Sequence, residues 1–158
     1  MIETNTKGLE AGLLKLRKKA GPEALEKAMG QVGVQLVADV VTEYPSVPKD
    51  EGTLEGSTSF FVGIPGKVPR FGGSSKDTLG IGKGKPVKGS FGPPCGPGEY
   101  RVIVGVNGPQ AARLHEHPEF NFTKIKSTAG GWYISEKLRR FRKNYLQIIA
   151  HVLKEFLK

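Results

Sequence analysis

The chain has 158 residues, 37% of them hydrophobic, with a formal charge of +9; this suits a single domain, 1–158, around one core, in a protein whose positive field favours acidic partners. Its one cysteine, Cys95, excludes an internal disulfide, and QLVADVV is interrupted by Asp39, so no apolar run reaches bilayer length and no membrane partner is expected. The polar start MIETNTKG lacks the apolar stretch of a signal peptide and reads as a soluble protein made in a cytoplasm.

Residues 6–20 predict a first helix. Leu9, Leu13 and Leu16 share a face, while Lys15, Arg17, Lys18 and Lys19 crowd the last turn, where they complement the negative end of the helix dipole. Gly21 stops it and Pro22 opens the next helix at its favoured first position. That second helix runs over 22–43, with Leu25, Met29, Val32, Leu36 and Val40 as a continuous stripe. Gly30 and Gly33 interrupt it, as small residues that permit close packing. Pro45 and Pro48 end it, and YPSVPKDEGTLEGS reads as an ordered turn region.

Residues 57–64 and 100–106 predict strands; in the second, Val102, Val104 and Val106 share a face. A third extended piece is expected over 111–115, after the turn Asn107-Gly108-Pro109. Between the two strands lies 65–99, dense in Gly and Pro. A loop this long is functional or disordered, and ordering glycine-rich chain is entropically costly. With few apolar residues to anchor it internally, it is expected to be an arm reaching neighbouring chains, one whose removal would spare the monomer. The last predicted helix covers 135–157, with Leu138, Phe141, Tyr145, Ile148, Val152 and Phe156 on its buried face. Lys137, Arg139, Arg140, Arg142 and Lys143 occupy much of the rest of its first half. The core is therefore expected between 25–40 and 138–156, in an α+β fold: a small, mostly antiparallel sheet against two N-terminal helices and one long C-terminal helix.

Catalytic patterns fail on inspection. RLHEHPEF places His115 and His117 at i and i+2, which on a strand would share a side. The helical zinc signature needs i and i+4, and Pro118 forbids continuing a helix through it. GIGKGK at 80–85 lacks the spacing of a phosphate loop and runs into Pro86, and no nucleophile elbow occurs. No cofactor, metal or enzymatic activity is expected. The basic helix faces leave an alternative open: a nucleic-acid-binding accessory protein, although aromatics do not interleave with the charges as a stacking platform requires.

The order of several short motifs resembles one family. Pro48, Gly52, Leu54 and Ser57 follow a helix as P-x-x-x-G-x-L-x-x-S; His115-Glu116 follows a strand and turn; Gly130, Gly131, Tyr133 and Ile134 lead into the last helix. Together, over 24–155 excluding most of 65–99, they resemble the minor capsid, neck or tail-completion (head–tail joining) proteins of tailed bacteriophages. Glu55 stands where many of those proteins carry a basic residue, and 65–99 is longer than usual. The resemblance implies a structural virion protein at the head–tail junction, assembled in the host cytoplasm. It implies a homo-oligomeric ring between the connector or adaptor and tail proteins, with genomic DNA in its channel. On this reading Lys67, Arg70, Phe71, Lys83, Lys85, Phe91, His115 and Glu116 would contact subunits or partners. Lys18, Lys19, Arg139, Arg140, Arg142 and Lys143 would meet DNA or an acidic partner.

Overall fold

The structure, a computed structural model, describes residues 7–48, 53–86, 89–108, 110–119 and 129–158. Thr6, Gly52 and Pro109 of the predicted elements and motifs lie outside them. The fold is α+β. Helix α1 spans Lys7–Thr42 but is broken at Gly21, whose φ of 82° and ψ of 178° are non-helical. Only glycine adopts that backbone cheaply, so the Gly21-Pro22 boundary expected from sequence is where the chain turns. The turn is a reversal. Glu10 pairs with Arg142 and Asp39 accepts from Tyr145 at 2.8 Å, so both ends of α1 meet the first turn of α6 (Arg142–Glu155). Leu25, near the turn, packs instead on Leu153 close to the end of α6. The two limbs and α6 therefore form one helical layer.

A three-stranded antiparallel sheet lies against it, β1 (Ser59–Gly63), β2 (Arg70–Ser74) and β3 (Arg101–Gly105), in the order β2-β1-β3. Phe60 opposes Val104 and Val62 opposes Val102, and this face packs on α1. A methyl on Gly33 would run into the Phe60 ring, as would one on Gly72. Close approach thus explains Gly33, while Gly30 has open space beside it. Gly72 is the extra residue of a bulge, since Phe60 opposes Gly73 and Phe61 opposes Phe71. The main core gathers Val32, Leu36, Val40, Val47, Leu54, Tyr133 and Tyr145, and a second cluster gathers Ala24, Leu25 and Leu153.

The structure corrects several expectations. Residues 65–99 are no free arm. They contain β2 and the short helix α3 (Ser75–Leu79), capped by the Ser74 hydroxyl accepting from the Asp77 N–H at 3.2 Å. Backbone bonds hold the stretch 89–95 that comes after them. Phe71 N–H donates to Gly89 O at 2.7 Å, Phe91 N–H to Pro69 O at 2.9 Å and Cys95 N–H to Lys67 O at 2.9 Å. The segment thereby covers the outer edge of β2, where Pro93 and Pro94 bar further pairing. Backbone bonds, with Phe91 against Phe61 and the buried Cys95, anchor this stretch, and deleting 65–99 would strip β1 of a neighbour. Thr53–Ser57 is a one-turn helix, α2, inside the expected turn region. Residues 111–116 form helix α4 (Ala111–Glu116), not a strand, because Ala111 and Leu114 turn onto the core at helical spacing. The last helix breaks at Phe141 into α5 (Ser135–Arg140) and α6. Leu138 is consequently 50% exposed and Phe156 39% exposed, outside the core assigned to them, while Lys137 is buried at 0%. Among the described residues no helix is long and apolar enough to cross a membrane.

Candidate functional site

The eight residues expected to touch partners are scattered over separate parts of the surface. Lys67, Arg70 and Phe71 line one hollow of about 540 Å³, between β2 and the outward face of α1 at Glu26, Gly30 and Val34. Phe91 lies on the opposite face of the sheet, its ring 5.4 Å from that of Phe61 and 53% exposed. There it borders a smaller hollow of about 220 Å³ with Ile103 and Asn107. Lys83 and Lys85 expose their side chains, but their backbone is pinned. Gly84 sits so close to α2 that a methyl would strike the Thr53 carbonyl, and Asn107 Nδ2 donates to Lys85 O at 3.0 Å.

His115 and Glu116 end α4. The His115 carbonyl accepts from the Trp132 N–H at 2.7 Å, and its ring meets those of Trp132 and Tyr133 edge-on at 5.4 and 4.9 Å. Burial lowers the imidazole's pKa, with Glu116 opposing the shift, so the neutral ring is favoured. Ser135 Oγ is 3.4 Å from His115 Nε2, too long for an activated nucleophile, and among the described residues no carboxylate bonds His115. His117 turns to Glu119 at 2.6 Å instead of sharing a side with His115. Among the described residues no three His, Cys, Asp or Glu gather to hold a metal. Cys95 is a buried free thiol, 4% exposed.

The motif residues on either side meet the stretch 107–118 between them. Ser57 Oγ accepts from the Asn107 N–H at 3.2 Å, and Leu54 packs so tightly on Gly108 that a methyl there would come within 2.5 Å of it. Pro118 lies 2.6 Å from where a Cβ on Gly131 would be, and the Tyr133 hydroxyl donates to Ala111 O at 2.7 Å. Burial pushes that phenol up to about 12. The contacts tie α2, the β3–α4 turn, α4 and the segment before α5 into one junction.

The basic set divides. Arg139 holds Glu136 at 2.8 Å, Arg142 holds Glu10 at 2.7 Å, and Arg140 Nη1 donates to Tyr44 O at 2.8 Å. Lys143, Lys18 and Lys19 are exposed and face no carboxylate among the described residues. Lys137, expected on the solvated face, is instead interior: Nζ donates to Pro45 O at 2.5 Å, and burial, with Arg140 adding to it, brings its pKa down to about 8. Sequence reasoning missed two exposed features. Trp132 has a φ of 56° and is 43% exposed; Leu14 is 58% exposed one position beyond the Leu9, Leu13, Leu16 face. Comparison with family models, curated proteins and solved structures returned no match.

Proposed function

We propose that the chain is a structural virion protein of a tailed phage, one subunit of a ring in the neck that joins the head connector to the tail. The observation that carries this reading is the junction itself. The residues behind the family resemblance, Leu54, Ser57, His115, Gly131 and Tyr133, are scattered over the sequence yet converge on the stretch 107–118: Ser57 meets Asn107, Leu54 Gly108, Tyr133 Ala111 and His115, and Gly131 Pro118. Their bonds run to backbone and to neighbouring rings, which suits a shared scaffold. Contacts to other subunits would come from the Lys67–Arg70–Phe71 hollow and the exposed Phe91 ring. Particles made by the genome that encodes this chain should contain it in multiple copies; purified particles lacking it would sink the reading.

The rival reading, an accessory protein for nucleic acid, draws on Lys18, Lys19 and Lys143. It has less to work with than the sequence suggested, because Arg139 and Arg142 would have to leave carboxylates to reach phosphate. It predicts strongly salt-dependent DNA binding by the isolated chain, lost when the three lysines are neutralised.

A further inference from the structure

The two edges of the sheet are finished differently. The outer edge of β2 is covered by 89–95, whereas among the described residues no backbone bond or bridge reaches the outer edge of β3. The register shows which groups that edge offers. Thr58 O accepts from the Ser75 N–H on the β2 side, so the even residues of β1 turn to β2 and the odd ones to β3. The Asn107 N–H, directed at Ser57, continues the same alternation. Arg101, Ile103 and Gly105 therefore spend their backbone groups on Gly63, Phe61 and Ser59, and Val102, Val104 and Val106 turn theirs outward.

A second feature lies beside this edge. Phe60, Val62, Val102 and Val104 face α1, so Phe61, Ile103 and Gly105 face the other way, where they line the hollow of about 220 Å³ with Phe91. Gly105 has neither a positive φ nor any atom within 4 Å of where a Cβ would be, so nothing among the described residues requires glycine there. Glycine weakens a strand interior and often marks a place where another chain comes close. Its bare backbone leaves a way from the β3 edge into the hollow.

We infer that the edge of β3 takes up an extended segment of a partner protein as a fourth strand. Its backbone pairs with Val102, Val104 and Val106, and one of its apolar side chains crosses Gly105 into the hollow between Phe91 and Ile103. A row of amides and carbonyls is satisfied together by another extended chain, whose alternate side chains then reach opposite faces of the sheet. The segment is uncharged and apolar at alternate positions, because Phe61, Phe91, Ile103 and Val106 line the hollow that receives it. A second copy joined edge to edge would set two charges of +9 side by side and close a pair, leaving no edge for the next subunit of a ring. The preference for a separate segment rests on the neck reading; the open edge does not.

The test uses the full chain, isotope-labelled for NMR, and a fluorescent peptide of about nine residues that alternates valine and threonine. In the free chain the amides of Val102, Val104 and Val106 should exchange with deuterium at least about tenfold faster than those of Ile103 and Gly105. The peptide should bind and slow the three valine amides to the rate of the other two. With its own amides methylated it should bind at least about tenfold more weakly. Gly105→Leu should weaken the unmethylated peptide by a similar factor without lowering the melting temperature, since the added side chain meets open space. Equal protection of all these amides in the free chain, whether by a covering segment or by self-association, would overturn the inference. So would no binding, undiminished binding of the methylated peptide, or binding untouched by Gly105→Leu. Particles that lack the chain would instead overturn the neck reading and leave the open edge standing.

Discussion

The helical layer and the 65–99 excursion are both ordered, but different forces order them. Around α6 the chain is held by side chains: Leu153 is fully buried against Ala24 and Leu25, and Tyr145 is tied to Asp39. In 65–99 large apolar side chains are few, Phe71 and Phe91 against Phe61 among them, and much of the chain is held by backbone bonds between 64–71 and 89–95 and by the close approach of Gly84 to α2. Hydrophobic burial leaves a periodic trace in sequence; backbone pairing leaves almost none. The two regions should accordingly fail in different ways.

Leu153→Ala should be the most damaging single change, costing about 2–5 kcal/mol in chemical denaturation because it opens a cavity where α6 meets the turn of α1. A loss well below that would mean the helical layer is not where stability concentrates. Gly84→Ala tests the other mode. The added methyl meets backbone, which cannot yield as a side chain can, so about 1–3 kcal/mol should be lost without any cavity. Gly80→Ala, where no atom crowds the methyl but φ is +67°, should cost less, about 1 kcal/mol, through backbone strain alone.

Lys137 ties α5 to the segment that follows α1 and predicts a pH effect. The unfolded chain keeps this proton up to the ordinary 10.5, while the folded chain loses it above about 8. The unfolded state therefore binds more protons in that window, and stability rises with pH through it, by on the order of 1 kcal/mol once nearby Asp39 and Glu43 are allowed for. Lys137→Met should flatten the slope, measured below about pH 10 where tyrosines begin to titrate. An unchanged slope would place the titration elsewhere. Phe91→Ala should have the smallest effect on the fold, about 1 kcal/mol or less, because over half of the side chain is already in solvent. Its loss should appear in assembly instead.

Much of the helical layer was legible. Leucines at helical spacing and the Gly21-Pro22 pair located both limbs of α1, and alternating valines located β3. β2 was not, because RFGGS has neither alternation nor branched residues; it is a strand because β1 and 89–91 pair with it. α4 was misread as extended, since six residues after a turn carry too short a period to decide. Lys137 could have been found. It lies four residues after Tyr133 and four before Phe141, on their stripe, and a lone lysine there signals a buried partner such as the Pro45 carbonyl. The contact residues were legible only in part. Lys67, Arg70 and Phe71 converge because β2 exists, and no local pattern in RFGGS encodes β2.

The central claim is a place in an assembly, and direct imaging of particles tests it. Electron cryo-microscopy of virions encoded with this chain should show copies of the α1–α6 layer arranged as a closed ring between head and tail. A neck fully accounted for by other proteins, with this chain absent or bound singly along DNA, would contradict it.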